Sequence, residues 1–342
     1  MASEEDETFS LESGGIMKLG KIVMTGRLLP DADRWIREHC EVKSWDKPGI
    51  MPRELLFEWL ADADGLMSVS SQPAKVDEEL LEHAPKLRVI SQSSVGYDNV
   101  DINACTRRGI PFGNTPGVLT EATADLAFLL VMCAARRIKE SAAIVQTGSW
   151  TSTVDIPLGV DLYGKTLGII GMGQIGTAVA RRGRACGMKI VYHNRRRRDP
   201  AEEEGAAYVS FGDLLGCSDF IVVLIPLSNE SRLMFRRDQF AQMKKTAYFI
   251  NAARGGIVET DALYEAVRDG MIAGCALDVT DPEPISAGHP LVTLPNVLIT
   301  PHIGSATMET RNRMAMLAAE NLVLGVAGKP LKTCVNPEVN NK

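Results

Sequence analysis

The stretch Gly168-Ile-Ile-Gly-Met-Gly-Gln-Ile-Gly176 decides the fold. Leu167 to Ile170 reads as a short apolar strand and Gln174 to Arg184 as a helix, so Gly171, Gly173 and Gly176 form a G-x-G-x-x-G turn between them. Each glycine has a physical task there. The first permits a tight turn, and the second lets backbone approach a pyrophosphate. The third lets helix pack on strand while the helix N–H groups, with Gln174 and Ile175 among them, face an anion. Glycines also collect in ordinary turns, so a dinucleotide seat follows only if the surroundings form βαβ units.

Those surroundings are legible on both sides. Downstream, Lys189 to Tyr192, Phe220 to Ile225, Ala247 to Ile250, Ala273 to Val279 and Val297 to Ile299 read as strands separated mostly by helical segments. This predicts a parallel sheet with helices on both faces and ligands at the carboxyl ends of its strands. Upstream, Ile22 to Met24, Leu66 to Val69 and Leu87 to Ile90 read as strands, with helices near 31 to 39, 53 to 61 and 77 to 83, closing around Ile110 to Phe112. Asn114-Thr-Pro-Gly117 punctuates a crossing between two units, and a long helix from about Thr120 to Gln146 precedes an irregular stretch, Gly148 to Gly164. A last helix, Met308 to Val326, carries Met314, Leu317, Ala318, Asn321, Leu322 and Leu324 on one face and is expected to return onto the first unit. The expected organisation is a disordered tail over 1–17, a discontinuous domain over 18–115 and 307–342, and a dinucleotide-binding domain over 116–306.

Composition narrows the function. The 342 residues leave room for two cores, and 45% hydrophobic with 23% charged residues is ordinary for a globular protein. A net charge of −6 disfavours a nucleic-acid partner. The seven cysteines form no C-x-x-C pair and most have apolar neighbours, which predicts free thiols in a reduced, cytoplasmic setting and no structural zinc. The longest apolar run, Leu126 to Ala135, is half a membrane span, and the acidic start lacks the basic and apolar segments of a signal peptide. We therefore expect no membrane partner and no metal.

The choice of dinucleotide rests on one strand end. An NAD-binding turn of this type is followed about 20 residues later by an Asp or Glu that accepts from the adenosine ribose. Here the strand ends Val191-Tyr-His-Asn194 without an acid, and Arg195, Arg196, Arg197 and Arg198 follow. Asn194 with the guanidinium forks of Arg195 and Arg196 suits a 2′-phosphate, so NADP(H) is expected ahead of NAD(H). Arg197 and Arg198 read as solvated.

Hydride transfer to a carbonyl needs a proton donor and a cation that orients the substrate. Of the five histidines, His39 and His83 sit near helix ends, His193 closes a strand and His289 lies in a loop. His302, in Ile299-Thr-Pro-His-Ile-Gly-Ser305, follows a sheet strand directly. Arg254 follows another in Asn251-Ala-Ala-Arg-Gly-Gly256, and Glu283, in Asp278-Val-Thr-Asp-Pro-Glu-Pro284, follows a third and suits a carboxylate partner for the imidazole. Taken singly, each reads as a surface ion pair; three at consecutive strand ends read as an active site.

Ser94-Val-Gly-Tyr-Asp98, the glycine turn, Asn251 to Gly255, Leu277 to Pro284 and Pro301-His-Ile-Gly-Ser-Ala306 together resemble the D-isomer-specific 2-hydroxyacid dehydrogenase family, and within it the glyoxylate/hydroxypyruvate reductases, over roughly Lys21 to Leu331. The resemblance implies an α/β fold of two domains: a flavodoxin-like substrate domain and a Rossmann-type dinucleotide-binding domain with a doubly wound parallel sheet, the active site lying between them. It implies His302 as acid/base, Glu283 as its partner, Arg254 as substrate clamp and Asp278 as a contact for the nicotinamide carboxamide. Val95 and Gly96 would bind the substrate carboxylate through backbone N–H groups, with Ser305 as a further contact. Thr123, Ile225, Pro226, Ala252, Ala253 and Gly304 would neighbour the cofactor. The implied activity is NADPH-dependent reduction of glyoxylate or hydroxypyruvate by a homodimer contacting through about Gly117 to Gly164. The alternatives are another D-2-hydroxyacid substrate, or a dinucleotide-sensing corepressor-like binding protein. One departure is Thr153, in Trp150-Thr-Ser-Thr153, where these reductases carry a second tryptophan.

Overall fold

The computed structural model describes residues 18–69 and 73–341; the tail over 1–17 lies outside the described residues. The chain divides into two compact units, one running to Val118 and resuming at Met308, the other Leu119–Thr307.

The first unit is built on five parallel strands, β1 (Lys21–Met24), β2 (Glu41–Ser44), β3 (Gly65–Ser68), β4 (Val89–Gln92) and β5 (Phe112–Gly113), in the order β2-β1-β3-β4-β5. That is the flavodoxin-like order 2-1-3-4-5. β3 and β4 are buried along their whole length, as parallel strands covered on both faces must be. β2 is an edge strand of alternating exposure, and its sequence Glu-Val-Lys-Ser has no apolar run, which is why it was not foreseen.

The helix Met308–Val326 packs on β3, β4 and the helix Pro30–His39 of this unit. Its buried face differs from the expected one: Ala315, Ala319, Val323 and Val326 join Met314, Ala318, Asn321 and Leu322, whereas Leu317 and Leu324 are only half-buried. Small residues face the sheet because the approach is close. A Cβ at Gly325 would lie 2.3 Å from a Val89 methyl, and Ser91 Oγ reaches Ala318 O at 2.8 Å.

The second unit has seven parallel strands: β6 (Thr166–Ile170), β7 (Lys189–His193), β8 (Ala207–Tyr208), β9 (Phe220–Val223), β10 (Tyr248–Asn251), β11 (Gly274–Leu277) and β12 (Val297–Ile299). Their order is β12-β11-β10-β9-β6-β7-β8, the doubly wound 3-2-1-4-5-6 arrangement with one strand added. The order reverses between β6 and β9, and the glycine turn leaves β6 at that point. One apolar core packs the helices Thr120–Ala135 and Gln174–Ala185 on one sheet face, and a second packs Phe211–Cys217, Arg237–Gln242 and Thr260–Arg268 on the other.

Two expectations are corrected here. The helix read from Thr120 to Gln146 is two, Thr120–Ala135 and Ile138–Gln146, because Arg137 takes a left-handed φ of 48° and Val160 N donates to Ala135 O at 2.8 Å, closing the first helix. The strand read from Ala273 to Val279 is only Gly274–Leu277, because Asp278 is drawn into the next loop. The seven cysteines are unpaired, and burial pushes the Cys40 thiol up to about 11 and Cys105 up to about 12, so both pack as small hydrophobes. Among the described residues no helix is long and apolar enough to cross a membrane, and no cluster of His, Cys, Asp and Glu could hold a metal.

Candidate active site

The glycine turn is shaped by contacts that exclude side chains at two positions and leave the third open. Gly171 has a φ of +102°, and a Cβ there would lie 2.7 Å from Leu224 O and 2.9 Å from the Ile225 side chain. A Cβ at Gly176 would lie 2.2 Å from Gly171 O. At Gly173 a Cβ would meet nothing within 4 Å. No protein atom therefore requires glycine there, and the open space is what an approaching pyrophosphate needs. The residues present fit a dinucleotide on this ground. Gln174 and Ile175 begin the helix, so their N–H groups belong to the unsatisfied first turn.

The segment after β7 folds back onto this turn. Asn194 Oδ1 accepts from Met172 N at 2.7 Å. Arg195 is 84% exposed, 3.6 Å from the exposed Glu230, and Arg196 is exposed. Both are available to an incoming phosphate. Of Arg197 and Arg198, both expected to be solvated, Arg197 stays exposed while pairing with the protein and Arg198 does not stay exposed. Arg197 forms a fork on the buried Glu203, at 2.7 and 3.0 Å, and Tyr192 OH donates to the same carboxylate at 2.7 Å. These partners hold the Glu203 carboxyl down at about 2. Arg198 turns inward, donating to Met172 O at 2.6 Å. The sequence signal was thin: a run of four like charges gives no hint which member faces the protein.

The loops after β10, β11 and β12 leave the sheet at one level, since Asn251, Leu277 and Ile299 are register partners. Each loop is organised by a buried polar side chain. Asn251, 1% exposed, accepts from Ala253 N at 3.0 Å and donates to Arg254 O at 2.9 Å, fixing Ala252 to Arg254. Asp278, 2% exposed, accepts from Ile303 N and Gly304 N at 2.8 Å each and from Thr300 Oγ1 at 2.6 Å. A Cβ at Gly304 would lie 3.2 Å from Asp278 Oδ2 and 3.4 Å from Thr123, so three of the expected cofactor neighbours cluster. A Cβ at Gly255 would strike Thr280 O at 1.9 Å, so the β10 and β11 loops touch through backbone. Ala252, Ala253 and Ser305 are half-buried, and Pro226 is exposed, its carbonyl accepting from Ser231 Oγ.

His302 and Glu283 meet across these loops: Nδ1 lies 2.6 Å from Glu283 Oε1. His302 holds a left-handed φ of 53°, a region histidine enters more readily than most residues, and its N–H donates to Asp278 O at 2.8 Å. Burial pushes the Glu283 carboxyl up, but the hydrogen bond and charge of His302, the Thr280 N–H and the Arg254 guanidinium outweigh it and hold it below the usual carboxylate range. With Nδ1 committed to the carboxylate, Nε2 is the ring nitrogen left available for proton exchange. The other histidines have local partners: His39 with Trp35 O, His83 with Glu79 O, His193 with Val209 O, and His289 capping a short helix.

In the first unit, the turn after β4 has its carbonyls held from behind. Ser94 O accepts from Thr115 N, Val95 O from Asn114 Nδ2, and Gly96 O from Gln92 Nε2 and Ser94 Oγ. Gln92 is 1% exposed and pairs reciprocally with the Asn99 carboxamide. The Val95 and Gly96 N–H groups meet no acceptor among the described residues, the arrangement an anion nest requires. Neither Gln92 nor Asn99 was foreseen; buried carboxamides carry no pattern in sequence. A surface groove of the same unit, lined by Arg27, Asp33, Arg34, Arg37 and Asp46, contains none of the expected site residues and is internally neutralised, as by Arg37 on Asp33 at 2.8 Å.

Residues 128–304 match the family model described as D-isomer specific 2-hydroxyacid dehydrogenase, NAD binding domain. A glyoxylate reductase of Aeropyrum pernix is 44% identical over 329 residues, covering 94% of this chain and 98% of the relative. Among solved structures, a glyoxylate reductase from Paecilomyes thermophila is 32% identical with a TM-score of 0.85, covering 93% of this chain and 98% of its own. An NADPH-dependent glyoxylate/hydroxypyruvate reductase from Sinorhizobium meliloti, in complex with NADP and malonate, is 30% identical with a TM-score of 0.83, covering 93% and 97%.

Proposed function

The chain belongs to the D-isomer specific 2-hydroxyacid dehydrogenase family, and we propose that it uses NADPH to reduce small 2-oxoacids, glyoxylate to glycolate and hydroxypyruvate to D-glycerate. It is an NAD(P)-dependent oxidoreductase, and its similarity to glyoxylate reductases supports substrates of the glyoxylate type. A bound nicotinamide dinucleotide supplies the hydride that reaches the carbonyl carbon. His302 gives its Nε2 proton to the carbonyl oxygen, and the Glu283 carboxylate keeps Nδ1 protonated and the ring in place. Arg254 orients the substrate and offsets charge at the reacting carbonyl, and the Val95 and Gly96 N–H groups take the carboxylate. Preference for NADPH is supported by the missing acid after β7 and by the two exposed arginines that follow Asn194.

The observation that carries this reading is the His302–Glu283 pair, 2.6 Å apart, on loops beside the one bearing Arg254. The test is NADPH oxidation with a panel of 2-oxoacids, for wild type and His302→Ala. Wild type should turn over glyoxylate, and the variant should lose turnover while binding NADPH with nearly unchanged affinity. Undiminished turnover by the variant would remove His302 from the mechanism, and no turnover of any 2-oxoacid by wild type would refute the reading itself. We further propose a homodimer. Its support is the run of exposed apolar side chains Val145, Trp150, Val154, Ile156, Leu158 and Tyr163.

A further inference from the structure

The Arg198 guanidinium lies against the glycine turn rather than in solvent. Nη1 donates to Met172 O at 2.6 Å and lies 3.3 Å from Thr177 Oγ1, Nη2 pairs with Glu202 at 2.9 Å, and Nε is enclosed without a partner among the described residues. The backbone is fixed too, since Arg198 N donates to Tyr192 OH at 3.1 Å. This is a built contact, with the charged group 23% exposed and held at both ends.

Peptide planarity gives that contact a consequence at the seat. Met172 C=O and Gly173 N–H belong to one rigid plane and point in opposite directions. A cation pinning the carbonyl therefore aims the N–H away from itself, and by polarising the amide makes it a stronger donor. The other side of Met172 is pinned as well, by Asn194 Oδ1 on its N–H at 2.7 Å. Gly173 N–H meets no acceptor among the described residues, and the space beside Gly173 is open.

We infer that Arg198 is a positioning residue for the pyrophosphate seat, acting through the Met172–Gly173 peptide, and that it sets affinity for the dinucleotide irrespective of the 2′-phosphate. This rests on the reading of the glycine turn as a dinucleotide seat. It separates two roles within one arginine run: Arg195 and Arg196 discriminate between cofactors, and Arg198 holds the seat both cofactors share.

The experiment is calorimetric titration of Arg198→Met and Arg198→Lys with NADPH and, separately, NADH. Loss of a charge-assisted bond predicts dissociation constants raised about ten-fold or more for both cofactors in Arg198→Met, with their ratio within about two-fold of wild type. Arg198→Lys, which keeps one donor but not the fork, should fall between. Thr177→Val and Glu202→Gln, which loosen the same side chain from the surface, should weaken both cofactors in parallel and to a lesser degree, and they decide the matter if Arg198→Met does not fold. A loss confined to NADPH would overturn the inference in favour of a direct phosphate contact, and unchanged binding of both would overturn it outright. If wild type binds neither dinucleotide, the seat reading fails instead.

Discussion

Replacing Glu283 with glutamine keeps the shape of the His302 partner and removes its charge. In the structure His302 Nδ1 lies 2.6 Å from Glu283 Oε1. A hydrogen bond to a charged group contributes about 1.5–3 kcal/mol and a neutral one about 0.5–1.5 kcal/mol. The side chains are 46% and 42% exposed, so water screens the charge and the difference belongs near the low end. We take about 1 kcal/mol, or roughly five-fold in kcat/KM for 2-oxoacid reduction at neutral pH. The Glu283 carboxyl sets the acid side. A carboxyl whose folded value is lowered contributes fully above its ordinary value of about 4.3 and loses that contribution as pH falls through the folded value. The wild-type advantage should therefore persist through the ordinary glutamate range and vanish only below it. Stopped-flow or steady-state NADPH oxidation across pH, with NADPH affinity measured alongside, checks this. A variant with the wild-type profile would refute the coupling between the two residues.

Arg195→Ser combined with Arg196→Ser should raise KM for NADPH and leave that for NADH nearly unchanged, measured as the ratio of kcat/KM for the two cofactors. Gln92→Leu removes the amide donor to Gly96 O and strands the Asn99 carboxamide, costing about 1–3 kcal/mol of stability in a thermal melt; KM for glyoxylate should rise while NADPH affinity holds, and an unchanged KM would detach the nest from carboxylate binding. Val154→Asp with Leu158→Asp, at side chains 82% and 79% exposed, should convert a dimer to monomer by light scattering, whereas an unaltered mass would place the subunit contact elsewhere.

Much of the second unit was legible because its information is periodic. Buried parallel strands write themselves as apolar runs, and Leu167 to Ile170 and Phe220 to Val223 are such runs. Edge strands do not: β2 and the two-residue β8 carry polar or mixed sequence and were missed. The break at Arg137 was also invisible, because an arginine in the left-handed region has no sequence signature and the cause, Val160 N on Ala135 O, comes from a distant part of the chain. The same limit explains the site. Motif positions identify groups that face a ligand, whereas Asn251, Gln92 and Arg198 face backbone, and which backbone depends on tertiary contacts.

Asp278 shows how the two kinds of role combine in one residue. The family resemblance implies a contact with the nicotinamide carboxamide, yet the structure has both oxygens employed in holding the β12 loop. These uses are compatible by count. A carboxylate offers about four acceptor sites, and Thr300 Oγ1, Ile303 N and Gly304 N occupy three. One remains for an outside N–H. The carbonyl of the same residue accepts from His302 N, so a single buried residue after β11 fixes the His302 backbone and, by count, keeps one acceptor site unused. Asparagine could serve the outside contact but would set an NH2 group against either Ile303 N–H or Gly304 N–H. The loop that Asp278 holds is therefore by itself a structural reason for an acid at this position.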